Sequence, residues 1–165
     1  MSDAALHASP FNSALETGLR SLAILAEACP DPFDLQRLLY FDYLVVHSSD
    51  ADGPASLHPS TPLRNGELLV RRGLIERGLL LFISRGLTER NASSDGISCV
   101  AAEAAGPFLE CLGSAYSCTL RERASWAMGK FTTLDDDELK SYFDAHFERW
   151  TREFQAVQLP PELFM

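Results

Sequence analysis

Catalysis by a nucleophile would need residues such as Ser48 and Ser49, which sit beside His47 and are followed by Asp50. A triad, however, is assembled from side chains that converge in space, and neighbours along a chain rarely point at a common atom. The sequence carries neither a nucleophile elbow nor a glycine-rich phosphate cradle, and Gly53-Pro54 is turn chemistry. The expectation is a protein that is not an enzyme, with no catalytic residue and no cofactor.

Metal ligation fares no better. Asp135, Asp136 and Asp137 are carboxylates suited to a hard cation, but consecutive residues at a helix start point in different directions and serve the positive end of the helix dipole. His47 and His58 flank a long loop without a ligand spacing, so they read as polar anchors for that loop, and His7 and His146 carry no signal. Cys29, Cys99, Cys111 and Cys118 match neither paired CxxC motifs nor a zinc ribbon, and their apolar neighbours predict reduced, buried thiols. No metal site is expected.

Charge bears on the choice of partner. The net charge of −9 opposes long-range attraction to nucleic acid or to anionic lipid, both densely negative. Yet Arg64, Arg71, Arg72, Arg77, Arg85 and Arg90 outnumber Glu67, Glu76 and Glu89 within one stretch, which places a basic strip on an acidic body. Arg71, Arg72 and Arg77 fall on one helix and Arg90 in a following hairpin, where a DNA-reading winged helix carries its cations. The acidic total, the interspersed Glu67 and Glu76, and the aliphatic richness of that helix argue instead for protein contact. Glu67 and Arg71 also form an i, i+4 pair on a solvated face.

The elements that position these residues follow from periodicity. Ser13 and Glu16 are spaced as a capping box, and Leu15, Leu19, Leu22, Ala23 and Ala26 recur at helical intervals, predicting a helix over 13–28. After Pro30-Asp31-Pro32, Asp34 caps a second helix, apolar on nearly every side and therefore central, with Asp42 and His47 as unusual company. Residues 48–65 form a long loop with Leu57, His58 and Leu63 as anchors, read as an ordered excursion that carries binding contacts.

A third helix is predicted from Glu67 to Ser84, with Leu68, Leu74, Ile75, Leu79, Phe82 and Ile83 inward, ending at a left-handed Gly86. Gly73 and Gly78 each weaken it by roughly 1 kcal/mol relative to alanine, which suggests close approach by another backbone. Leu87 to Arg90 and Ile97 to Ala101 read as a hairpin turning through Asn91 to Gly96. Helices then resume at 104–112, 115–130 and 135–156.

This order predicts a mainly α fold with a small β-hairpin, a winged-helix-like core over 12–102 and a C-terminal helical extension over 103–157. Residues 1–11 form an arm and 158–165 a tail, all within one domain. Trp126, Trp150, Phe154, Leu163 and Phe164 are candidate apolar anchors for docking, with plain core packing an equal reading of the two tryptophans. Without a basic leader followed by an apolar run, or an apolar stretch long enough to span a bilayer, the chain is expected in the cytoplasm.

The run from Leu38 to Ser48, then Gly53-Pro54, Leu57-His58-Pro59, Pro62-Leu63-Arg64 and Glu67 to Arg72, resembles the middle component of bacterial ABC-three-component systems. Gly86-Leu87, Gly96-Ile97, Ala104, Phe108, Leu109 and Tyr116 continue the similarity, which covers about residues 11 to 155. The resemblance implies a non-catalytic adaptor to an ATPase of the SMC or Rad50 type and to an effector component, in Lamassu-like defence against phages and plasmids. DNA contact would then be weak or indirect, through the ATPase. The positions it nominates for protein contact are Asp42, Tyr43, His47, Pro62, Arg64, Glu67, Arg71 and Arg72.

Overall fold

The computed structural model describes residues 13–58 and 64–146, with the side chains of 64–69 outside that description. The 1–11 arm, the 158–165 tail, Pro62, Leu63, Trp150, Phe154, Leu163, Phe164 and positions 147–156 of the expected 135–156 helix also lie outside the described residues.

Among the described residues, seven helical segments and three short strands make a mainly α fold. Helix α1 spans Ala14–Ala28, with the Ser13 hydroxyl accepting from the Glu16 amide as the capping spacing predicts. Leu22 and Ala23 are buried and Leu19 and Ala26 pack against the core as the spacing predicts, but Leu15 is 60% exposed, and the buried face also takes in Thr17, Gly18 and Arg20 to Leu25. Strand β1 is the pair Phe33–Asp34, absent from the sequence reading because two residues give no periodicity. Asp34 also caps helix α2, Leu35–Val46, by accepting from the Arg37 amide at 2.7 Å. Every residue of α2 from Leu38 to Val46 is buried, so this helix is central as expected.

A 3-10 turn over Ser48–Ala51 follows, and the described part of the loop, to His58, is held by contacts with its own chain. The Leu57 and His58 amides both donate to the Val46 carbonyl, Arg123 donates to the Ala55 carbonyl at 2.9 Å, and Lys130 to that of Ala51 at 2.6 Å. Trp126 lies against Gly53, where a side chain would collide with the indole, and is half-buried as core packing.

Helix α3 runs Arg64–Ser84, one turn longer at its start than predicted. It ends as the sequence says, at Gly86 with φ +72°, where the Gly86 amide bonds Ile83 and the Leu87 amide bonds Phe82. Its two glycines part company. A Cβ on Gly78 would lie 2.6 Å from the Gly18 nitrogen and 2.7 Å from the Gly18 Cα, so α1 and α3 cross backbone to backbone there. At Gly73 an added Cβ meets nothing within 4 Å, so the expected close approach does not occur at that position.

The hairpin is longer and tighter than predicted. Strands β2 (Thr88–Ser93) and β3 (Gly96–Ala101) pair from Thr88 opposite Ala101 to Ser93 opposite Gly96, leaving a two-residue turn at Ser94 and Asp95 instead of six residues of loop. Strand β1 adds antiparallel to β3, giving the order β1-β3-β2. The sheet touches α1, α2 and α3. Helices α4 (Ala105–Glu110) and α5 (Ala115–Phe131) and a sixth helix, α6, over 136–146 complete the described chain. Asp135 accepts from the Glu138 amide and Glu138 reaches back to the Asp135 amide, while Asp136 pairs with Arg37 at 3.0 Å. The aspartate run is thus a helix start with an added ion pair.

All four cysteines are free, but only Cys99 is buried; Cys29, Cys111 and Cys118 are exposed. The expectation of four buried thiols is corrected, because an apolar neighbour in sequence does not decide which side of a helix or turn faces water.

Candidate functional site: a buried charge cluster behind the third helix

Helices α1, α2 and α3 each send one charged side chain to a common point. Asp42, in the middle of α2, is fully buried, and its Oδ1 accepts from the Arg20 Nε of α1 at 2.8 Å. Its Oδ2 accepts from Arg20 Nη2 at 3.4 Å and from Arg71 Nη1 of α3 in a close ion pair. Arg20 is 0% exposed and Arg71 4%. Burying three ionised groups is costly, and mutual hydrogen bonding in the dry interior offsets that cost only while every member is present.

The cluster continues on both sides. Arg20 also donates to Thr17 Oγ1 at 3.3 Å and hydrogen-bonds the Tyr116 hydroxyl of α5, which in turn meets His58 Nε2 at 2.9 Å. The Arg71 guanidinium lies 5.9 Å from the Tyr43 ring centroid, and the Tyr43 hydroxyl donates to Asp50 at 2.8 Å. His47, also buried, caps α2 through its amide to the Tyr43 carbonyl, and its ring packs against the Tyr43 ring at a tilt of 49°, centroids 4.8 Å apart.

Electrostatics follow from this geometry. Burial pushes the Asp42 carboxyl up, but Arg20 and then Arg71 outweigh it and hold the group below its ordinary value. Burial works against the Arg20 charge, and Asp42 outweighs that too, so the guanidinium stays ionised. For His58, burial and then the cations Arg20 and Arg71 disfavour a proton, taking it down to about 4. His58 is therefore a neutral loop anchor near neutral pH, in keeping with its sequence reading. Burial also raises the Tyr116 hydroxyl, against the pull of Arg20.

The nominated positions thus separate. Asp42, Tyr43, His47 and Arg71 are brought together in the interior, where they join α1, α2, α3 and the loop. Arg72, one residue further along, is exposed and donates to Gln36 at 3.1 Å. Pro62 and the side chains of Arg64 and Glu67 lie outside the described residues. Ser48 and Ser49 are spent on the loop, on the Pro54 carbonyl and the Ser56 hydroxyl.

Sequence reasoning missed Arg20. A lone arginine between Leu19 and Ser21 reads as a solvated residue, although its neighbours Thr17, Gly18 and Ser21 are small enough to leave room for a long side chain inside the bundle. Among the described residues, no group of three or more His, Cys, Asp or Glu could hold a metal ion, and no helix is long and apolar enough to cross a membrane.

No curated protein and no solved structure matches the chain. A family model does, over residues 10–153, and it spans all three helices of the charge cluster as well as the hairpin. The chain belongs to the family of the ABC-three component (ABC-3C) system Middle Component 2.

Proposed function

We propose that this protein is a non-catalytic adaptor of a bacterial defence complex, holding an SMC- or Rad50-like ATPase to an effector component and touching DNA weakly or only through the ATPase. Its membership of a middle-component family carries the reading, since a component of a multi-part system has partners to contact. The cluster of ionisable groups supports it from the chemical side: Arg20, Asp42, Arg71, Tyr116 and His58 are committed to one another, holding helices in place. The cytoplasm is the compartment where such a complex would work.

The order α1-β1-α2-α3-β2-β3, three helices and then a hairpin, is compatible with a winged helix and supports a second reading, a stand-alone transcription regulator. With Arg71 turned inward to Asp42, α3 loses one of the cations that reading needs, and the net charge of −9 opposes duplex binding.

Pull-down from the native host followed by mass spectrometry separates the two. An SMC-like ATPase should copurify, and the isolated protein should show little duplex affinity; steep salt-dependent duplex binding without an ATPase would favour the regulator. Arg72→Glu, on the surface, should weaken the copurification at least tenfold while leaving the melting temperature unchanged. Normal recovery of the ATPase with this variant would remove Arg72 from the contact surface. Arg71→Glu is unsuitable as an interface probe, because it would set a second carboxylate against buried Asp42 and unfold the helix trio.

A further inference from the structure

A groove opens between the C-terminal half of α3 and the sheet, with a volume of about 320 Å³. Its floor is Phe33, Leu79 and Cys99, all nearly inaccessible to water. Its lips are Leu80 of α3 and Ile97 of β3, each 57% exposed. Opposite charges stand on opposite sides: Glu76 on α3 and Arg90 on β2. Scattered apolar residues on a surface are ordinary, but two of them beside an apolar hollow leave hydrocarbon facing water on one continuous face.

The occupant has to match that combination. Nucleic acid offers phosphate, which an apolar hollow with a carboxylate on its lip repels. A two-fold interface makes a distinctive demand: each contact occurs twice, so one face must carry both halves of it. This face does, since Ile97 is a projecting apolar side chain beside a hollow able to receive one, and Glu76 and Arg90 are a carboxylate and a cation on facing lips.

We propose that two copies of this chain associate through this face about a two-fold axis, Ile97 of each entering the hollow of the other and Arg90 of each meeting Glu76 of the other. Apolar burial supplies most of the affinity. The two exposed ion pairs add less than this and set orientation, while reversing either charge replaces both attractions with repulsions.

Light scattering on the purified full chain tests this. At micromolar concentration the mass should be twice 18.2 kDa, and Ile97→Asp should return it to 18.2 kDa. Glu76→Arg and Arg90→Glu should each raise the dissociation constant at least tenfold when studied alone. An equimolar mixture of those two variants should restore the dimer, because each chain supplies the charge the other lacks; a merely structural role for either residue would give no such rescue. Circular dichroism checks that the variants fold, and hydrogen exchange of the unmodified protein on dilution supplies a test free of substitutions, with protection lost over 76–84 and 88–101. A mass of 18.2 kDa throughout the micromolar range, or a dimer that neither charge reversal weakens, would overturn the proposal.

Discussion

The inner and outer faces of α3 are built on opposite principles. Inward, the helix offers Arg71 to a buried carboxylate and Gly78 to the backbone of α1, and both contacts are specific to the partner group that meets them. Outward, it offers Arg72, Glu76, Arg77 and Leu80 to water, with Gly73 open to space. Arg71 and Arg72 are neighbours in sequence, yet one anchors three helices and the other is a surface cation. A basic strip in the sequence therefore says little about a basic surface, since a 3.6-residue turn points adjacent side chains about 100° apart.

This contrast breaks most clearly at the charge cluster. Asp42→Ala leaves two guanidiniums facing each other without their shared carboxylate, and should cost about 3–5 kcal/mol in chemical denaturation. A loss under about 1 kcal/mol would mean that water reaches the cluster and that the inner face is not dry.

The paired glycines sharpen the same comparison within one helix. Gly78→Ala pushes a methyl group into the Gly18 backbone, which has no rotamer to give way, and should destabilise by about 1–3 kcal/mol as α1 and α3 move apart. Gly73→Ala meets nothing and should stabilise by up to about 1 kcal/mol through helix propensity. Thermal melts of the two variants should thus shift in opposite directions, and a shift of the same sign would refute the crossing.

The third expected effect depends on pH. His58 is held down to about 4 from 6.5, so as pH falls the unfolded chain takes up this proton before the folded one does. Its contribution is fully present above 6.5 and is lost progressively as pH falls toward 4. Asp42 acts in a lower window, its contribution present above the ordinary carboxylate range and lost as pH falls through its depressed value. Stability measured against pH should therefore decline in two stages, and His58→Gln should flatten the upper one alone. An unchanged upper stage in that variant would place the titration elsewhere.

Much of the chain's local architecture was legible because it depends on residues within one turn of each other. Ser13 and Asp34 mark helix starts by accepting their own downstream amides, and Gly86 marks an end by adopting a left-handed backbone. The aspartates at 135–137 read correctly as a helix start for the same reason. The hairpin was visible in outline but not in length, because polar residues such as Asn91 and Ser93 read as turn until strand β3 is there to pair with them. Strand β1 was invisible, since nothing in Phe33-Asp34 alone distinguishes a strand from a helix lead-in.

The amino-acid sequence by itself determined a mainly helical chain, where α1 and α2 begin and where α3 ends, the apolar character of α2, and an acidity that disfavours bare nucleic acid. Each of these rests on composition or on spacings of four residues or fewer. Only the tertiary structure decided that Arg20 is a core residue, that Gly78 rather than Gly73 meets another helix, and that Arg71 belongs to Asp42 while Arg72 belongs to solvent. Those outcomes join residues 22, 29 and about 60 positions apart, and a charge can enter a dry interior only where a distant segment brings its counter-charge.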